Sequence, residues 1–193
     1  MTPLEISCIS LSSEDVFPSD AELAARCRTP KDALPDGVGE AIRRISAVAT
    51  PAACFAYGKV DAELDALLGL GETPTLSTPY VALLAVTLGY GVDRLIESER
   101  HRGIASAYLL DAVASAMAEA AADAADAMIR KKYPHISFAK RLSPGYGRLS
   151  LSLQAPLISL LGADKRLGLR LDESYLMHPR KSITAILGGR DEN

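Results

Sequence analysis

Apolar and polar positions along this chain recur with periods that assign most of its elements. Tyr80-Val-Ala-Leu-Leu-Ala-Val-Thr-Leu88 is an unbroken apolar run closed by Gly89-Tyr-Gly91, the pattern of a central strand buried on both faces. From Ile104 to about Arg130, Leu110, Val113, Met117, Ala121, Ala124 and Met128 fall on one side at ~100° per residue. Asp111, Glu119, Asp123, Asp126 and Arg130 fall on the other. This predicts one long helix, rich in alanine, which favours helix and allows close approach to a sheet. Pro134 ends it.

Shorter patterns fill the rest. Residues 1–36 read as irregular and turn-rich, with one helix from Asp20 to Arg28 capped by Ser19. Val38, Ile42, Ile45 and Val48 space a second helix that opens at Asp36 or Gly37, with Arg43 and Arg44 as a solvated edge. Ala53–Tyr57 reads as a short strand ended by Gly58, and Val92–Arg100 as a helix ended by Gly103. Residues 60–70 fit a helix or a strand. Leu149–Leu153 alternates like a strand, but a serine-capped helix from Leu153 to Leu161 fits better. Leu167–Leu171 and Ser182–Leu187 read as strands, with Pro179 in the turn between them. The elements mix without a βαβ repeat. The expected fold is therefore α+β, a single domain over 1–193 with a mixed or antiparallel twisted sheet packed by helices. Its first 50 residues form a helical and irregular part.

Composition narrows the function. The 193 residues are 48% hydrophobic and 23% charged, which suits one packed core. A formal net charge of -3 gives no footprint for a polyanion, so nucleic-acid binding is disfavoured. No apolar run reads as long enough to cross a bilayer, and the N-terminus lacks a signal-peptide pattern, so no membrane partner and a cytoplasmic location are expected. Cys8, Cys27 and Cys54 are odd in number and far apart, which fits free thiols in a reducing compartment. With His101, His135 and His178 they form no zinc spacing.

The chemistry-bearing stretch is Arg141-Leu-Ser-Pro-Gly-Tyr146. Arg141 offers a permanent cation and a planar fork suited to a carboxylate. Ser143 adds a hydroxyl. Pro144-Gly145 predicts a type II turn whose backbone groups are left open to a ligand. Tyr146 supplies a ring to stack on or cover a flat heterocycle. No glycine-rich strand–loop–helix of the dinucleotide kind occurs, which argues against an independent methyltransferase fold.

This segment, followed by Gln154, Leu160-Leu161, Leu171-Asp-Glu-Ser174, Met177-His-Pro179 and Lys181-Ser-Ile183, resembles the activation domain of cobalamin-dependent methionine synthase. The upstream Ala85-Val-Thr-Leu-Gly89, Val92-Asp93 and the long helix with Glu119 are similar to that family as well. The resemblance covers about residues 80–188. It implies that S-adenosylmethionine lies in a shallow groove, with Arg141, Ser143, Gly145 and Tyr146 around it. Glu119, Glu173 and Tyr175 are the candidates for the ammonium or ribose contacts. It implies further that the domain caps a cobalamin and presents the sulfonium methyl to cobalt, trapping Co(I) after reduction by a flavodoxin-type donor. In the family this domain is part of a larger enzyme, and Ser98–Gly103 lacks the cobalt-ligating Asp-x-His-x-x-Gly pattern. The cobalamin is therefore expected on a partner, a corrinoid methyltransferase such as a methionine synthase lacking its own activation domain. The alternative is a module that docks on a corrinoid protein without using S-adenosylmethionine.

Overall fold

Ser19 opens the first helix as its side chain suggests: its hydroxyl accepts the Glu22 N–H, and α1 runs Asp20–Cys27. The structure, a computed structural model, describes residues 3–30 and 33–192. Positions 1, 2, 31 and 32 of the stretch read as irregular lie outside the described residues. That stretch is less irregular than its turn residues suggested. Glu5–Ser10 forms a strand, β1, which the half-exposed alternation of an edge strand disguised.

α2 (Val38–Ser46) and β2 (Ala52–Lys59) follow, with Gly58 inside the strand rather than ending it. Residues 60–70 resolve as a helix, α3 (Ala62–Leu68), because Asp61 caps it by accepting the Leu64 N–H. β3 (Tyr80–Thr87), α4 (Tyr90–Arg100) and α5 (Ile104–Lys132) match the strongest patterns in the sequence. β4 (Ile136–Phe138) was too short to be legible. α6 (Gln154–Leu161) resolves the ambiguity after Leu149 in favour of the helix, and α7 (Ala163–Arg166) follows. Of the expected strand at 167–171 only β5 (Arg170–Leu171) forms, paired with β6 (Met177–His178) in a small hairpin. β7 (Ser182–Asp191) runs longer than expected.

Five strands form one antiparallel sheet in the order β1-β2-β3-β7-β4. β3 at its centre is buried on both faces. Ala82, Leu84 and Val86 face a core built with α1, α2, α4 and α5, whereas Val81, Leu83 and Ala85 face a second core with α3, α6 and α7. The period of two thus feeds both layers from one strand.

α5 lies along the first face. Leu110, Val113, Met117 and Ala121 are buried as their spacing predicts. Beyond Ala121 the seam moves by one position, to Ala125 and Ile129 in place of Ala124 and Met128. By length and composition α5 could cross a bilayer, which corrects the expectation that no apolar segment reaches that length. Its apolar face is instead taken up by the sheet and α1, α2 and α4, with Ala112, Val113, Ala116, Ala121 and Ala125 in the core.

Two contacts give direct tests of this packing. Gly188 on β7 lies against the Thr75 carbonyl so closely that an added Cβ would stand 2.2 Å from that oxygen. Gly188→Ala is expected to lower stability by about 1–3 kcal/mol, read as a lower urea midpoint, because backbone must move to admit the methyl. The Arg44 guanidinium reaches over to the buried Glu99 at 2.5 Å, so Arg44 is an ion-pair partner rather than the solvated edge its spacing suggested. The Arg44 and Ser106 hydrogen bonds hold the Glu99 carboxyl below the usual carboxylate range. A depressed folded pKa contributes stability above the unfolded value of ~4.3 and loses it as pH falls through the folded one. Glu99→Gln is therefore expected to flatten the acid side of the stability–pH curve below about pH 4, measured by thermal melts from pH 3 to 7.

Candidate functional site

After β4 the chain stays beside β7. Ala139 donates its N–H to the Gly188 carbonyl, and Leu142 exchanges both backbone hydrogen bonds with Ile186 at 2.8–2.9 Å. Arg130 on α5 fixes the bend between these contacts by donating to the Phe138 and Ala139 carbonyls at 2.6 and 2.8 Å. Leu142 therefore points to the α6 side of the sheet, and Arg141, its neighbour, to the α5 side.

There the Arg141 guanidinium meets α5. It donates to Glu119 Oε2 at 2.9 Å and to Asp123 Oδ1. Glu119 Oε1 accepts from Arg26 on α1 at 2.7 Å, and Arg26 also pairs with Glu22 at 2.9 Å. Burial acts to lower the Arg141 pKa, but the Asp123 and Glu119 carboxylates outweigh it and the net shift is upward. Three carboxylates against two guanidiniums leave the cluster with one net negative charge. Its members differ sharply in exposure: the Arg141 side chain is 16% exposed, Glu119 30% and Asp123 71%. The Arg141–Asp123 contact is therefore the one water competes for most.

The Pro-Gly turn forms as its residues predict. Tyr146 N–H donates to the Ser143 carbonyl at 3.2 Å and Gly145 takes φ +88°, the pattern of type II. Its donors are not left open, however. Gly145 N–H is taken by the Leu149 carbonyl at 2.8 Å, because the loop closes on itself before entering α6. The expectation of free backbone N–H groups at Gly145 and Tyr146 is corrected on this point. The ring of Tyr146 is 70% exposed and Ser143 is half-buried.

Among the sequence-derived site residues, the fold brings Arg141 onto Glu119 and sets Ser143, Gly145 and Tyr146 in the loop that follows. Glu173 and Tyr175 lie in the exposed turn of the β5–β6 hairpin. That turn is organised by Asp172, which accepts the Ser174 and Leu176 N–H groups, and Tyr175 adopts φ +60°. Among the described residues no hydrogen bond or ion pair joins either of them to the Arg141 cluster. Asp123, Arg26 and Glu22 went unassigned in the sequence. Asp123 was findable, four residues after Glu119 on the same polar face, whereas nothing local marks Arg26.

A cleft of about 320 Å³ lies elsewhere, lined by Tyr90, Asp93, Arg94, Glu97, Arg180 and Lys181 among others, with no residue of the Arg141 loop. Lys181 there bonds Ser115 Oγ at 2.9 Å and Asp111 Oδ1 at 2.9 Å. Burial lowers its pKa against the opposing pull of Asp111. These bonds tie the start of β7 to α5. Within the cleft Lys181 pairs with Asp111 and Arg100 with Glu97, while Asp93 accepts the Arg180 backbone N–H.

An antiparallel sheet sandwiched by helices, with an arginine–carboxylate cluster and a Pro-Gly loop on its β7 side, defines an α+β domain. Comparison with known proteins is more specific. The profile of the family described as "Vitamin B12 dependent methionine synthase, activation domain" matches residues 72–193, and the chain belongs to that family. Among solved structures, the MetH reactivation domain bound to AdoHcy is similar with a TM-score of 0.74 at 15% identity, over 100% of this chain and 80% of that one. At that identity the likeness establishes the fold. No curated protein matches the chain.

Proposed function

We propose that the chain, acting as one domain in the cytoplasm, binds S-adenosylmethionine at the Arg141 cluster and serves as the methyl donor site in the reductive reactivation of a corrinoid methyltransferase. The cobalamin is carried by that partner, a methionine synthase in the simplest case, and a flavodoxin-type protein supplies the electron. The observation that carries the reading is the placement of Arg141 and Glu119 together beside the loop, inside the segment that the family profile covers. The solved relative holds AdoHcy, the product that remains when S-adenosylmethionine gives up its methyl group.

The electrostatics suit that ligand. S-adenosylmethionine carries a carboxylate, an ammonium and a sulfonium, one net positive charge, opposite to the single net negative charge of the cluster. The ligand carboxylate takes the Arg141 fork from the exposed Asp123, which returns to water at small cost. Glu119, still held by Arg26, then accepts the ammonium. Ser143, Gly145 and Tyr146 border the adenosine, with the exposed tyrosine ring free to stack. Glu173 and Tyr175 contribute only if the hairpin turn comes over the ligand. Cobalamin supplies the nucleophilic metal that accepts the methyl group. This chain's own part is to bind, orient and charge-match the donor.

Calorimetry with S-adenosylmethionine and S-adenosylhomocysteine tests the reading. Binding of both is expected, tighter for the charged sulfonium, and Asp123→Asn is expected to narrow that preference. No heat and no melting shift at millimolar ligand would reject it. A specific observation favours the second reading, a docking module that does not use S-adenosylmethionine: the Arg141 fork is already satisfied within the protein. Co-purification with a corrinoid protein, without ligand binding, would select that reading.

A further inference from the structure

We propose that Cys8 and Cys54 form a redox dithiol that takes disulfides of the glutathione class as substrate. The sequence places them 46 residues apart, with nothing to pair them. The sheet puts them in direct register, Cys8 on the edge strand β1 opposite Cys54 on β2, with their sulfurs 2.6 Å apart. A disulfide bond of ~2.05 Å forms from there by closing about half an ångström, with no change of strand pairing.

The two thiols are inequivalent in the way such a pair requires. Cys8 is exposed, whereas Cys54 is buried and its pKa is pushed up to about 12, by burial first and then by the neighbouring Cys8. The Arg166 guanidinium, on α7, donates to Cys8 Sγ at 3.6 Å and so faces the thiolate that Cys8 would present. Cys8 is thus the attacking sulfur and Cys54 the resolving one. The Cys8 thiolate attacks one sulfur of the small disulfide, forming a mixed disulfide and expelling one thiolate. Cys54 then loses its proton to solvent and attacks Cys8 Sγ, expelling the second. In sum, two protein thiols and one small disulfide give one protein disulfide and two small thiols. Cys27 is buried in the α5-side core, on α1, and takes no part. In a reducing compartment such a pair stays open and closes only under oxidative load, when it would fasten the edge strand β1 to the sheet.

The test uses the full chain, reduced and then exposed to glutathione disulfide, quenched by alkylation after unfolding and read by intact mass and peptide mapping. Alkylatable thiols are expected to fall from three to one, with a Cys8–Cys54 link mapped. The melting temperature of the oxidised form should rise by roughly 5 °C or more. Cys54→Ser is expected to stop at a stable mixed disulfide on Cys8, and Cys8→Ser to form neither product. Arg166→Leu should slow the first step several-fold at low ionic strength. Three alkylatable thiols after exposure, or a wild-type chain that accumulates the Cys8 adduct without losing the Cys54 thiol, would overturn the proposal.

Discussion

Replacing Arg141 by alanine is expected to weaken S-adenosylmethionine binding by roughly 30-fold or more, a loss of about 2 kcal/mol, because a charged donor to the ligand carboxylate is removed. The same change should cost folding less. Glu119 keeps its 2.7 Å bond to Arg26, and Asp123 is exposed enough to be hydrated, so no carboxylate is stranded. Binding and melting are therefore separable readouts. Arg141→Lys retains the charge but loses the planar fork, and it should recover the melting temperature more fully than the affinity. Glu119→Gln should act in the other direction on charge: it removes the negative charge that faces the ligand ammonium and leaves Arg26 and Arg141 facing a neutral amide. If Arg141→Ala binds as wild type does, the ligand does not sit at this cluster. If the wild type binds nothing, the S-adenosylmethionine reading is rejected.

Replacing Leu84 by alanine is expected to give the largest loss of stability among single core truncations considered. Leu84 is fully buried at the centre of β3, the strand flanked by β2 and β7, and its side chain packs in the α5-side core. Removing its branch should cost about 3 kcal/mol, transfer and cavity terms together, lowering the melting temperature by roughly 6–12 °C for a chain of this size. Because α5 contributes largely alanines to that interface, few of its side chains can move into the space. Leu83→Ala, one residue along, should open a cavity on the opposite, α6 side. If Leu84→Ala lowers ligand affinity in proportion to its effect on stability while Leu83→Ala does not, the α5 face is the one that carries the site. Equal effects of the two on affinity would place the ligand elsewhere.

Much of the fold was legible because local patterns and tertiary packing agree. The unbroken apolar run of β3, the long alanine-rich run of α5 and the Ser19 cap each had a single reading, and the structure keeps all three elements. The short or half-exposed elements failed. β1 alternates weakly because one of its edges is open, and β4 has three residues, below the length at which a period is measurable. Register caused the one drift within α5, where the apolar positions after Ala121 are crowded with alanine and two adjacent seams are nearly equivalent in sequence.

The linear chain by itself determined the types of its strong elements, the Pro-Gly turn at 144–145, and the residue kinds suited to an anionic and aromatic ligand. All of these depend on interactions within a few residues. Only the tertiary structure decided that Arg141 meets Glu119, Asp123 and, through Glu119, Arg26, and that Cys8 faces Cys54. Those pairings span 18 to 93 residues of sequence. They exist because an antiparallel sheet sets distant strands in register and a long helix crosses its face, and no local preference encodes either.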